Sequence, residues 1–481
     1  MQTSIVITRD ASLCGCLGIC SVALDLHTHS RGAKLSWKIA PATSNMASYS
    51  DRPSRITKPD LFMVLALWME DFSDLLEDNQ DTTYQSRHKK VGAAIVSPND
   101  ILYAVDCTRD GVHGVARLLM NNHDIAKGCT VFVSRKPCSF CAKLLVQSKV
   151  ERVFFPPFEP EYYDGSRRCT SIGREFKREK SRVDILFQTS NIGQSVFVPT
   201  VAKAVLECEK RKHKPKDKSE AEGTMDDRID KKTRELFDKF WRENWIKKVK
   251  ENLSWPAFDQ NLKEQVKQDF ENTMRWMARI LVQSGLDEDE ITFKKVKSGS
   301  VGQDNFKTLD FKIATHLIRM AQFLAGRTDD PKRGVGAVIA NEKMEIKALG
   351  WNGFPLKARY GEFPRASDDD DKIDGKKYPF IIHAEQGALL YRNDKNLKDG
   401  TLFVTKTPCD ECTPLLHMEE IKTVFLGAEL QKKKSKDLSY LMFEKKVEKG
   451  VFICFEKRED TPTEKTEDTP LSPTKKRKKK K

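Results

Sequence analysis

The sequence predicts an α/β protein that contains one layered domain twice. Three observations carry that expectation. Short apolar strands alternate with segments of helical period, the pattern of a sheet covered by helices. The unit Pro-Cys-x-x-Cys occurs twice, at residues 137–141 and 408–412. A histidine precedes it at nearly the same distance each time: His113 stands 25 residues before Cys138, and His383 stands 26 before Cys409. The flanks agree as well. Residues 131–138 (Val-Phe-Val-Ser-Arg-Lys-Pro-Cys) align with 402–409 (Leu-Phe-Val-Thr-Lys-Thr-Pro-Cys), and 91–95 (Val-Gly-Ala-Ala-Ile) with 335–339 (Val-Gly-Ala-Val-Ile). Matches in one order argue an internal duplication.

A chain of 481 residues has room for two cores and linkers. With 39% hydrophobic and 32% charged residues, folded domains should be joined by charged, exposed segments. No apolar run approaches the roughly 18 uncharged residues of a membrane span, so no membrane partner is expected. Of the net charge of +14, seven charges sit in residues 475–481, which leaves +7 for the rest. A mildly basic body is weak support for a nucleic-acid channel. The tail itself reads as an address for a nuclear import receptor or as a non-specific anionic patch, and a nuclear and cytoplasmic distribution is expected. Twelve cysteines diluted over this length, four of them in Pro-Cys-x-x-Cys units, favour metal binding in a reducing compartment over a disulfide scaffold.

Taken in order, residues 1–56 lack sustained periodicity and read as a flexible leader. Their apolar stretch 12–20 raises a signal peptide, but Arg9 is offset by Asp10 and no cleavage signal follows. The first domain spans 57–190. Residues 60–69 suit either a Leu-rich nuclear-export segment or a buried first helix, and their spacing favours the helix. Strands follow at 91–96 and 101–105, a helix opened by His113, a strand at 130–134, a helix after Cys138, and a strand at 150–155. Residues 181–187 read as the last strand of this copy. A linker and helical segment fills 191–304, with two amphipathic faces: Leu236, Phe237, Phe240 and Trp241, then Phe258, Leu262, Val266, Phe270, Met274 and Met277. Packing between the domains explains them better than nucleic-acid stacking. The second domain, 305–456, repeats the order: a helix at 309–324, strands at 335–339 and 346–349, His383, strands at 402–404 and 423–426, a helix near 438–443 and a strand at 450–454. The acidic loop 366–376 and the tail 457–481 read as solvated and disordered.

The chemistry concentrates in His383-Ala384-Glu385 and Pro408-Cys409-Asp410-Glu411-Cys412. His383, Cys409 and Cys412 are three zinc-type ligands, which leave one position of a tetrahedral ion open for water. Residues two apart on a helix point to nearly opposite sides. His383 and Glu385 can therefore share one site only from a helix's first turn, with the ion off its end. Pro408 likewise suits a helix start, and a positive helix end would favour thiolates. In the first copy His113, Cys138 and Cys141 could hold a second zinc. Its sequence there is His113-Gly114-Val115, and valine cannot transfer a proton. That site is expected to be non-catalytic.

These residues resemble the H-x-E…P-C-x-x-C signature of zinc-dependent nucleobase deaminases. The chain is similar to the cytidine and deoxycytidylate deaminase family over roughly 305–456, and more weakly over 58–190. Arg327-Thr328-Asp329-Asp330-Pro331, Gly350-Trp351-Asn352-Gly353-Phe354-Pro355 and the stretch Tyr378 to Glu385 look like the deoxycytidylate branch. The resemblance implies tandem domains, each a mixed five-stranded sheet sandwiched by helices, and often oligomers. It implies a catalytic Glu385, a sugar contact from Asn352, a base contact from the Ala384 backbone and Arg327 near the phosphates. The expected substrate is a cytosine nucleoside or nucleotide. Two other readings stay open: a polynucleotide cytosine deaminase, supported by the basic tail, and a zinc-scaffolded interaction protein without activity. Deleting residues 475–481 is expected to weaken nuclear accumulation of a tagged chain, and an unchanged distribution by fluorescence microscopy would remove the import reading.

Overall fold

The computed structural model describes residues 5–8, 21–24, 55–76, 88–157, 159–162, 170–200, 225–242, 260–296, 311–330, 333–355, 377–432 and 438–458. The acidic loop 366–376, Phe258 and the basic tail 475–481 lie outside them. Within the leader, two four-residue strands, β1 (Ile5–Thr8) and β2 (Ser21–Leu24), pair antiparallel, where a wholly flexible segment was expected. No described helix is long and apolar enough to cross a membrane.

The first unit opens with α1 (Lys58–Leu76), which is buried along most of its length. This is the burial expected of a core helix and not of an export signal. Strands β3 (Gly92–Val96), β4 (Leu102–Cys107), β5 (Thr130–Val133), β6 (Arg152–Phe155) and β7 (Gly193–Val196) form a sheet in the order β4-β3-β5-β6-β7. Strand β3 is antiparallel to β4 and β5, and β5, β6 and β7 are parallel. Helices α2 (Gly114–Asn121) and α3 (Ser139–Gln147) follow β4 and β5.

Residues 181–187 are not a strand. They belong to helix α4 (Thr170–Thr189), and the fifth strand comes later, at β7. The reason is visible in burial: Val183 and Phe187, four apart, are buried, whereas Ile185 between them is 56% exposed. That is the period of a helix, not of a strand.

In the intervening segment, α5 (Met225–Phe237) packs on α6 (Gln260–Gln283), and β8 (Phe293–Lys295) follows. The second unit begins at α7 (Phe311–Ala325) and continues through β9 (Gly336–Ala340), β10 (Ile346–Trp351), α8 (Ala384–Leu390), β11 (Thr401–Val404), α9 (Cys412–Met418), β12 (Thr423–Leu426), α10 (Leu441–Glu448) and β13 (Ile453–Lys457). Its sheet runs β10-β9-β11-β12-β13-β8. The first five positions repeat the first unit. The sixth, β8, pairs antiparallel with β13, so the segment counted as linker supplies an edge strand.

Each sheet alternates its faces as a buried strand pair requires. Ala93, Ile95, Val131 and Val133 face the layer of α2 and α3, while Ala94, Val96, Phe132 and Phe154 face α1. In the second unit Phe403, Phe425 and Phe455 stack across three parallel strands at 5.3 and 4.7 Å; Phe132 and Phe154 repeat this at 5.0 Å. Gly92 and Gly336 occupy matching positions. A Cβ there would lie 2.1 Å from the Ala66 carbonyl oxygen and 1.8 Å from that of Ala321, so only glycine lets α1 and α7 lie this close to their sheets.

The two units meet through equivalent parts. α1 lies against α7, and β4 against β10. Trp68 stacks on His316 at 4.4 Å, its indole N–H donates to the His316 carbonyl at 3.1 Å, and Phe72 covers the imidazole's other neighbourhood at 4.8 Å. Burial first, then Arg319, pushes the His316 pKa well below its usual range, so the ring sits in this core uncharged. At the rim, Arg109 and Arg117 of the first unit pair with Glu345 of the second at 3.3 and 3.2 Å. One apolar cluster runs unbroken from Phe132 through Trp68 and Phe323 to Phe425, and Trp276 of α6 joins it. Trp68→Ala should therefore lower stability by about 3–5 kcal/mol in urea unfolding, and a loss under about 1 kcal/mol would mean the units do not share this core.

Candidate metal and active site

The topology brings the site residues together. Strands β10 and β11 both run antiparallel to β9, so both end at the same edge of the sheet. The chain after β10 leads to His383, and the chain after β11 leads to Cys409. His383 is the residue before α8, with extended backbone (φ −77°, ψ 158°), and its N–H donates to the Gln386 side chain at 2.9 Å. Being outside the helix, His383 escapes the constraint that separates residues two apart. Its ring and the first-turn Glu385 can both reach off the helix end. The Cys409 carbonyl accepts from the Thr413 N–H at 2.9 Å and the Thr413 hydroxyl at 2.8 Å, which fixes the turn into α9.

His383 Nδ1 lies 3.2 Å from Cys409 Sγ and 3.3 Å from Cys412 Sγ, and the three donor atoms lie within 4.8 Å of one another. A tetrahedral zinc with ordinary Zn–N and Zn–S bonds would separate such donors by about 3.5 Å, so the donor set and its spacing fit that ion. The electrostatics agree. A hydrogen bond from Cys412 lowers the Cys409 pKa to about 4 against the opposing effect of burial, and the same partnership drives Cys412 upward. Burial works to lower the His383 pKa, but the Cys409 thiolate prevails and holds it at about 9. Glu385 is only 4% exposed, and burial raises its carboxyl to about 7 against the pull of His383.

The other expected site residues are Ala384, Asn352 and Arg327. Ala384 is fully buried, and Gly350 allows β10 to touch the start of α8: a Cβ there would sit 2.3 Å from the Ala384 carbonyl oxygen. Asn352 is 5% exposed. Its Oδ1 accepts from the Val335 N–H at 2.7 Å, and its amide donates to the Arg333 carbonyl at 2.9 Å. One lone pair of Oδ1 remains for a further donor. Asp330, which pairs with the buried Lys377, stands beside the same amide. The Asp330–Lys377 pair gives no sequence signal because its members are 47 residues apart. Arg327 donates to the Ile56 carbonyl at 3.0 Å, so it reaches toward the first unit.

The first unit builds the same constellation. His113 precedes α2 in extended conformation, and its Nδ1 lies 3.5 Å from both Cys138 Sγ and Cys141 Sγ. Val115 is fully buried where the second unit has Glu385. A residue that spacing did not reveal, Glu161, joins this group with His113, Cys138 and Cys141. Cys138 and Glu161 together raise His113 to about 10.

Comparison with known proteins places this geometry. The model of the cytidine and deoxycytidylate deaminase zinc-binding region matches residues 67–156 and 312–428. A Danio rerio protein, cytidine and dCMP deaminase domain-containing protein 1, is 28% identical over 426 residues, which is 81% of this chain and 88% of that one. The Homo sapiens deoxycytidylate deaminase is 33% identical over 109 residues, 23% of this chain and 61% of its own length. The deoxycytidylate deaminase of Mycobacterium phage D29 is 30% identical, and 89% of its length is covered. With two donor groups among the described residues, a His383→Ala/Cys409→Ala protein should still carry one zinc by elemental analysis, and a metal-free protein would refute the His113 group.

Proposed function

Because the chain belongs to the cytidine and deoxycytidylate deaminase family, we propose that its second unit removes the amino group of cytosine by zinc-dependent hydrolysis. The substrate in this reading is cytidine, deoxycytidine or one of their nucleotides, such as dCMP or dCTP. The observation that carries it is Glu385: a buried carboxylate beside Cys412 and two residues from His383, present at one donor group and replaced by Val115 at the other.

His383, Cys409 and Cys412 would hold the ion. When bound there, zinc would make a water acidic in the position that three protein ligands leave open. Glu385 takes a proton from the attacking water and delivers it to ring N3 as the oxygen adds to C4. It then carries the second proton to the amino group, which leaves as ammonia. One carboxylate that accepts and returns protons is enough for both halves of the reaction. The Ala384 backbone would meet the base, the free lone pair of Asn352 Oδ1 a sugar hydroxyl, and Arg327 the phosphates. The basic tail 475–481 supports a nuclear as well as a cytoplasmic location, and the family resemblance supports a homo-oligomer.

A panel of cytidine, deoxycytidine, dCMP, dCTP, single-stranded DNA and RNA offered to the purified chain tests the substrate class by ammonia release. Activity confined to polynucleotide would sink the nucleotide reading. Glu385→Ala should lower kcat by about 10²-fold or more while zinc stays bound. Undiminished turnover would remove Glu385 as the proton carrier, and no turnover in either protein would leave a zinc-scaffolded binding protein.

A further inference from the structure

The donor group of the first unit differs from that of the second by a fourth member. Glu161 is 1% exposed, and its carboxylate lies with His113, Cys138 and Cys141 so that all four donor atoms fall within 4.8 Å of one another. Its Oε1 is 2.5 Å from His113 Nδ1 and 3.5 Å from Cys141 Sγ. Its Oε2 accepts the Cys138 backbone N–H at 2.7 Å.

An ion pair between His113 and Glu161 is the simplest reading of one of these distances, but it does not account for all of them. One ring nitrogen carries at most one hydrogen and can serve one acceptor well. Here the same Nδ1 is approached by a carboxylate oxygen and by two sulfurs. Convergence of three electron-rich atoms on one imidazole nitrogen, away from solvent, marks a point that a cation would fill.

The carboxylate is also held in place by its backbone. The Glu161 N–H donates to the Lys136 carbonyl at 2.9 Å, and the Glu161 carbonyl accepts the Lys89 N–H at 2.7 Å. The neighbouring residue, Tyr162, bridges His88. Glu161 is thus tied both to the segment that carries Cys138 and to the segment that enters β3. Among the described residues the second unit has no counterpart. Counting the same 20 residues that separate Cys141 from Glu161, one reaches Lys432 from Cys412, and Lys432 is turned outward to Glu444.

We propose that Glu161 is the fourth protein ligand of a closed His113–Cys138–Cys141–Glu161 zinc site. A tetrahedral ion with four protein ligands has no place for water and is structural, whereas one with three keeps the reactive position. The first unit has then lost hydrolysis twice over, through Val115 in place of the proton carrier and through Glu161 in place of the water. What the site retains is a clamp that ties the starts of α2 and α3 to the loop after β6.

The test uses the full-length chain with both sites, and zinc itself as the probe. Competition with a chromophoric chelator should find one zinc in Glu161→Ala and in the isosteric Glu161→Gln bound at least about tenfold more weakly than in wild type, with the other unchanged. Circular dichroism checks that the variants are folded, and the glutamine variant serves if the alanine one is not. Cobalt substitution gives the second readout. Azide should perturb the visible bands of one centre in wild type and of both in Glu161→Ala. Wild-type zinc affinity in a folded Glu161→Gln protein, or two azide-sensitive centres in wild type, would overturn the proposal.

Discussion

Both sites depend on one constraint of strand direction. In each unit a central strand, β3 or β9, runs antiparallel to the neighbours on both sides. Its two neighbours must therefore end at the same edge of the sheet, and the segments that follow them begin there together. One brings a histidine at the threshold of a helix, the other a pair of cysteines three apart. The histidine stands 25 or 26 residues from the first of its two cysteines, and the common end of the two strands brings them together. This is the general reason that α/β proteins place ligands at the carboxyl ends of strands.

On that common scaffold, a single carboxylate decides the chemistry. In the second unit it comes from the first turn of a helix, at Glu385, close to the trio but outside the ligand set. In the first it comes from the loop after β6, at Glu161, inside the set. A buried carboxylate costs free energy unless something nearby compensates it. The surroundings differ between the units: burial raises the Glu385 carboxyl to about 7, whereas Glu161 lies 2.5 Å from His113 Nδ1 and accepts the Cys138 N–H.

The first unit also contributes to the second without touching its chemistry. The inner faces of both sheets close on the same apolar cluster, with α1 and α7 as its middle layer. His316 sits there uncharged, covered by Trp68 and Phe72 of the other unit. Arg109 and Arg117 hold the turn between β9 and β10 through Glu345. Strand β10 leads directly toward Asn352 and His383, so the packing that stabilises the pair also positions one wall of the candidate active site.

Local spacing made much of this legible. Short buried apolar strands, a histidine at a helix threshold and Pro-Cys-x-x-Cys are patterns within short windows, where neighbouring residues carry the answer. Apart from the last strand of the first copy, the strands met along the chain and the trios His383–Cys409–Cys412 and His113–Cys138–Cys141 followed from such windows and from their repetition. What escaped required contacts between distant residues. Residues 181–187 looked like a strand because each short stretch of mixed residues does; burial of Val183 and Phe187 against the rest of the unit shows the helix. Strand β8 exists by pairing with β13, far along the chain. Glu161 is 48 residues from His113, in a loop with no periodic signal, and is recognisable only where it lies. The sequence by itself determined the two His-Cys-Cys trios and which copy has a carboxylate two residues after its histidine, because those depend on residue identity. Tertiary structure alone decided that Glu161 joins the first group and that Glu385 stays outside the second, because that depends on where the folded chain buries a charge.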